Sequence, residues 1–146
     1  MSYTGWQYPV VRVVQAATVY FVVVFMLGVA LGTLRVIYLA PAIGELAATL
    51  LELPLMLSAS WVLCGVVVRR WIVPPTLSAR IAMGALAFVL LISSEVYLGA
   101  NLLGRGLNEQ LGAMTTGAGL AGAISQIIFA TFPVIRLQLS TGGDAV

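Results

Sequence analysis

Four uninterrupted apolar stretches, about residues 13–39, 44–68, 80–103 and 112–135, take up most of this chain. A run of roughly 18 or more apolar residues is long enough to cross the hydrocarbon of a bilayer as a helix. Inside that hydrocarbon the backbone polar groups must pair within the segment itself, which leaves helices and closed barrels as the only spanning structures. The reading is therefore all-α: an integral membrane four-helix transmembrane bundle, with residues 1–146 expected to form a single transmembrane domain. Composition agrees. The chain is 61% hydrophobic and 8% charged, against about 45–50% and about 25% in ordinary soluble domains, so no soluble core could bury its apolar surface and no appended soluble domain is expected. The first stretch is also longer than the apolar region of a secretory signal, about 7–15 residues, and reads as a span.

The connections, about 41–43, 69–79 and 104–111, are short, and short connections imply antiparallel neighbours. The N-terminus, the second connection and the C-terminus then share one side and carry Arg12, Arg69, Arg70, Arg80 and Arg136. The other side offers Arg105 and, just inside the first span, Arg35. By the positive-inside rule the arginine-rich side is cytoplasmic. This gives an N-in/C-in expectation for a multi-pass protein of a bacterial inner (cytoplasmic) membrane. Trp6, Tyr8 and Trp71 are expected interfacial anchors, whereas Trp61 lies deep enough in the second span to be a packing residue.

Several chemistries lose their usual ligands. The chain has no histidine and one cysteine, Cys64, and all seven of its basic residues are arginine. A Schiff-base cofactor needs lysine, and zinc or iron–sulfur sites need His/Cys sets. No cofactor or metal is expected. Ser93 and Ser94 beside Glu95 are the only nucleophile–acid pairing within a span, and they match no known mechanism, so the chain is not expected to be an enzyme. A net charge of +2 is too small to indicate nucleic acid. The expected partners are membrane lipid and either further copies of the chain or a larger membrane complex.

Helices in lipid associate through close backbone approach rather than hydrophobic transfer, so small residues mark packing faces. Gly28 and Gly32 form a GxxxG pattern in the first span, and Gly119 and Gly122 belong to a small-residue stretch in the fourth. Arg35 follows Gly28 by seven residues and Gly32 by three, which places it on the same face. Gln126, seven after Gly119 and four after Gly122, shares theirs. Both side chains are expected to point into the bundle.

Ionisable groups at membrane depth are costly, and each is a functional-site hypothesis. Glu52 and Glu95 each lie about eight residues, or about 12 Å, from the same ends of their spans, with Arg35 about 6 Å deep and Glu45 at the mouth of the second span. Glu45 and Glu52, seven apart, share a helix face. Pro54 cannot donate to the carbonyl of Leu50 and is expected to kink the helix beside Glu52. Two readings follow. In one, Arg35, Glu45, Glu52, Glu95 and Gln126 form a transporter- or channel-like site for a proton, cation or small polar solute. In the other, the charges lock the helix register of an accessory subunit of a larger membrane complex.

Overall fold

The computed structural model describes residues 7–101 and 104–142, and those residues are helical throughout apart from the connections. Helix α1 (Gln7–Leu34) continues through a π-helical segment (Arg35–Leu39) into the short α2 (Ala40–Ile43). Helix α3 is Glu45–Arg70, α4 is Leu77–Asn101, α5 is Leu107–Met114 and α6 is Gly117–Gly142. Four spans are long and apolar enough to cross a membrane: Pro9–Ile43, Glu45–Arg70, Leu77–Asn101 and Gly117–Ser140. Trp6 and the expected end of the third span at residue 103 lie outside the described residues, as does the side chain of Tyr8.

The helix ends follow from local chemistry. Pro41 has no N–H to return to the carbonyl of Ile37, and its ring would collide with that carbonyl. The ladder widens there instead, and the Ala40 N–H bonds back five residues to the Arg35 carbonyl. Gly44 takes φ +86°, a conformation open to glycine, and so lets the chain reverse between α2 and α3. At the far end of α3, Ile72 donates to the Arg69 carbonyl (3.3 Å) and Val73 to that of Val68 (3.1 Å). This is a Schellman ending that forces Ile72 to φ +48°. Thr76 and Thr116 act as N-caps: their hydroxyls accept the N–H of Ala79 (3.4 Å) and of Gly119 (3.1 Å) respectively.

Those caps move two expected boundaries. The third span starts at Leu77 rather than near residue 80. The expected fourth span, 112–135, is divided, because α5 ends at Met114 and Thr116 starts a new helix that runs on to Gly142. The expected connection 104–111 is thus partly helical. In it the Glu109 carboxylate accepts the Gly106 N–H (3.3 Å), half of a capping box, since glycine has no side chain to return the bond.

Helix α1 packs on α3 and α4, and α6 packs on the same two, while the backbones of α3 and α4 do not approach each other. Consecutive helices α3 and α4 therefore lie across a diagonal. The connection over residues 71–76, stiffened by Pro74 and Pro75, spans up to about 20 Å when extended, enough for that crossing. The centre is filled from α1 and α6: Tyr20 stacks on Phe129 with ring centroids 4.5 Å apart. Around them lie the buried Ala16, Ala17, Cys64, Met83, Ala87 and Phe132. Large apolar side chains such as Met26, Leu51, Val89 and Ile127 are exposed on the single chain, as a lipid-facing surface requires. The structure thus supports a multi-pass membrane protein.

Pro133, itself fully buried, leaves the carbonyl of Phe129 without its helical donor. The Tyr20 hydroxyl donates to that carbonyl at 3.2 Å, so the orphaned acceptor and the central aromatic stack are two parts of one arrangement. Helices α4 and α6 come close at Gly84, where a Cβ would run into the Ala130 carbonyl.

A candidate intramembrane site

The polar residues expected to form one group fall into two pairs on different helix couples. The first joins the end of α1 to the start of α3. Arg35 opens the π-helical segment, and its Nε lies 2.7 Å from Oε2 of Glu52. Nη1 of the same guanidinium donates to the Thr49 hydroxyl (3.1 Å), which in turn donates to the Glu45 carbonyl (2.9 Å). The Nε–H is not aimed along its contact, so the link to Glu52 is a close ion pair rather than a directed hydrogen bond. Glu45 contributes its backbone carbonyl here, while the residue itself is exposed. Pro54 is also exposed, and α3 continues through it to Arg70.

The second pair joins α4 to α6. Both carboxylate oxygens of Glu95 lie 2.7 Å from Nε2 of Gln126, which donates to them. Glu95 is partly buried, and among the described residues no basic side chain forms an ion pair with it; the ion pair found there is that of Arg35 and Glu52. Glu52 and Glu95 stand at similar depths by helix counting, yet they sit on the two helices that cross the diagonal. The Arg35–Glu52 charge is cancelled within its pair. The Glu95 carboxylate has an uncharged amide in the corresponding place.

The glycines divide in the same way. Gly28 faces the terminal methyl of Met56 on α3 at 3.4 Å, the distance its Cβ would have. Within one chain, Gly32 and Gly122 meet nothing within 4 Å, and Gly119 lies against the backbone of Ala113 and Met114 in α5. Among these glycines, those with no room for a side chain between spans are Gly84, against Ala130, and Gly65, where the guanidinium of Arg136 occupies that space.

Arg80 and Arg136, expected as orienting charges, are built into the fold. Arg136 donates to the Trp61 carbonyl from Nε (3.1 Å) and Nη2 (2.6 Å) and lies 4.2 Å from the centroid of that tryptophan's ring. Gly65, one turn on from Trp61, gives it room. Trp61 also meets Phe132 edge to face, which makes it a packing residue. Arg80 is buried and reaches the carbonyls of Pro74 (3.3 Å) and Val73 (3.4 Å), so it ties the α3–α4 connection to α4. Trp71 at the end of α3 is half-buried, with Arg70 5.8 Å from its ring. Sequence reasoning misses Tyr20 and Pro133, though a tyrosine and a proline within apolar spans are a donor and an unfilled acceptor that invite pairing.

A groove between α4 and α6, about 280 Å³ and walled by Ile81, Phe88, Ile127 and Val134 among others, is apolar. Comparison with family models, curated proteins and solved structures returns no match.

Proposed function

We propose that this chain is a small transporter- or channel-like membrane protein that takes up a proton, cation or small polar solute at Glu95 and Gln126. In this reading sequence neighbours run antiparallel and both termini are cytoplasmic. The carrying observation is the Glu95–Gln126 pair itself: a carboxylate inside a span whose partner is an amide and not a cation. A charge at membrane depth without a counter-charge is costly, and a bound proton or cation cancels it. The amide suits either state, since –NH₂ donates to a carboxylate and, turned over, its carbonyl accepts from a carboxylic acid. Arg35 and Glu52 brace the α1–α3 couple. The orientation draws on the arginine distribution, with Arg12, Arg69 and Arg70 exposed on one side. The antiparallel arrangement draws on late residues of one span meeting early residues of the next, Arg35 with Glu52 and Glu95 with Gln126.

Proteoliposome flux measurements test this. Glu95→Gln is expected to abolish uptake, and Glu52→Gln to weaken the bundle while folded protein still transports. Parent-level flux in Glu95→Gln would remove the reading. One observation favours a second reading, that of an accessory subunit: Gly32, in the GxxxG pattern, has nothing near it in the single chain, which leaves a small-residue face for another helix. Co-purification of a stoichiometric partner from native membranes, lost in Gly32→Leu, would support that reading over a free-standing carrier.

A further inference from the structure

The position of the Gln126 amide limits what the Glu95 carboxylate can bind. Nε2 lies 2.7 Å from both Oε1 and Oε2 of Glu95, equidistant from the two oxygens. That is where a carboxylate holds a cation bound by both its oxygens, about 2.3–2.6 Å away for calcium. A metal cation would have to displace the donor that the ionised carboxylate already has. A proton bonds to one oxygen alone and needs only an acceptor beyond it.

Turning the amide over would offer a cation Oε1 of Gln126 beside the two Glu95 oxygens, short of the roughly six to eight that calcium takes. The neighbouring oxygens are directed elsewhere. The Ser125 hydroxyl bonds back to the Gly122 carbonyl of its own helix (2.6 Å), Ser93 is exposed, and Ser94 is turned about 100° around α4 from Glu95. The Phe129 carbonyl, left open by Pro133, is taken by Tyr20.

Helices α1, α5 and α6 pack against α4, and among the described residues their charged groups are engaged or remote. On α1, Arg35 is paired with Glu52, and Arg12 is exposed toward the opposite end. Arg136 of α6 donates to the Trp61 carbonyl. Glu109 of α5 accepts the Gly106 N–H, and Arg105 beside it is exposed. On α4 itself, Arg80 reaches the carbonyls of Pro74 and Val73, and Tyr97 is exposed. Glu52 has a counter-charge and needs no proton, whereas Glu95 has none.

We infer that the species taken up at Glu95 is a proton, one per chain, rather than a metal cation, and that Gln126 turns its amide over as the proton arrives. This rests on the reading of that pair as the uptake site. The proton comes from water and bonds to one carboxylate oxygen. The new O–H donates to Oε1 of Gln126, in place of the bond that Nε2 donates to the ionised form. A hydrogen bond is kept while the charge is lost, so the pair becomes neutral within the span.

Infrared difference spectra of the protein in nanodiscs, recorded as pH is raised, read the C=O stretch of a protonated carboxyl and require no transport. The parent should lose one such carboxyl per chain that Glu95→Gln lacks and Glu52→Gln keeps. Its protonated-to-ionised ratio should fall about tenfold per pH unit. Replacing choline by sodium, potassium or calcium at constant ionic strength should leave that titration unmoved. In Gln126→Leu the band should shift to higher frequency, because the acid loses its acceptor. If Glu95→Gln does not fold, Glu95→Asp, which keeps a carboxyl, should move the band instead. A parent band indifferent to every change at residue 95 would overturn the proton site, and an unshifted band in Gln126→Leu would overturn the turning amide. A titration displaced by a metal cation would overturn the proton assignment and leave the uptake reading standing. The expected spectra together with no proton flux in proteoliposomes of the parent would keep the proton site and defeat the transport reading alone.

Discussion

Gly84→Ala is the substitution whose effect the packing determines most directly. In an isolated helix the change would be favourable by about 0.5–1 kcal/mol, because alanine loses less backbone freedom than glycine. Here the added methyl falls on the carbonyl oxygen of Ala130. Both atoms belong to helix backbones, so no rotamer change relieves the overlap, and α4 and α6 must separate by on the order of 1 Å to reach ordinary contact at about 3.5 Å. Overpacking of this kind costs about 1–3 kcal/mol. Set against the propensity gain, a net loss of up to about 2.5 kcal/mol remains. The same separation would lengthen the Glu95–Gln126 contact farther along the same helix couple. The control is Gly32→Ala, where the methyl meets open space and the propensity gain stands alone. Reversible unfolding in mixed detergent micelles, followed by tryptophan fluorescence, should rank Gly32→Ala above the parent and Gly84→Ala below it. If Gly84→Ala proves as stable as Gly32→Ala, the close approach of α4 and α6 at Gly84 is wrong.

Three further outcomes follow from named contacts. Tyr20→Phe removes the donor to the Phe129 carbonyl and should cost about 0.6–2 kcal/mol. Adding Pro133→Ala restores a backbone N–H to that carbonyl and should recover much of the loss, which the same unfolding titration would register; no recovery would mean the hydroxyl bond is incidental. Arg35→Gln strands the Glu52 carboxylate and should destabilise by about 3 kcal/mol or less, the low end for broken buried pairs, since the two side chains are 23% and 15% exposed. The double variant with Glu52→Gln should sit above that single variant, and a double-mutant cycle showing no coupling would dismiss the brace. Ile72→Gly relieves a left-handed residue and should raise thermal stability in detergent by about 1 kcal/mol, whereas a drop in Tm would show that its side chain matters more than its strain.

The two ends of the bundle differ in what their charges do. Toward the N-terminal end of α1, Arg80 and Arg136 are absorbed by backbone carbonyls and an indole ring, while Arg12, Arg69 and Arg70 remain exposed. Toward the other end, Glu52 is matched by an arginine and Glu95 by an amide, while Glu45 is exposed and Glu109 accepts a backbone N–H.

The existence of the four spans was legible in the sequence alone, because length and hydropathy are properties of each segment and the bilayer imposes the same requirement on every crossing helix. Arg35 and Gln126 do reach across to neighbouring helices, as helical periodicity led one to expect, although Gly32 and Gly122, which marked the same faces in the sequence, meet nothing within the single chain. Boundaries near Thr76 and Thr116 were missed because one hydroxyl cap outweighs an otherwise continuous apolar pattern. Only the tertiary structure decided which helices meet. The short connection over residues 71–76 reads as a join between packed neighbours, yet it crosses the diagonal and separates Glu52 from Glu95, turning one expected cluster into two pairs. Which glycines mark close approach was likewise a tertiary matter: the GxxxG motif singles out Gly28 and Gly32, whereas contact with Ala130 and Arg136 singles out Gly84 and Gly65. Equal depth along two helices says nothing about the distance between them, because depth is set by the membrane and lateral position by packing.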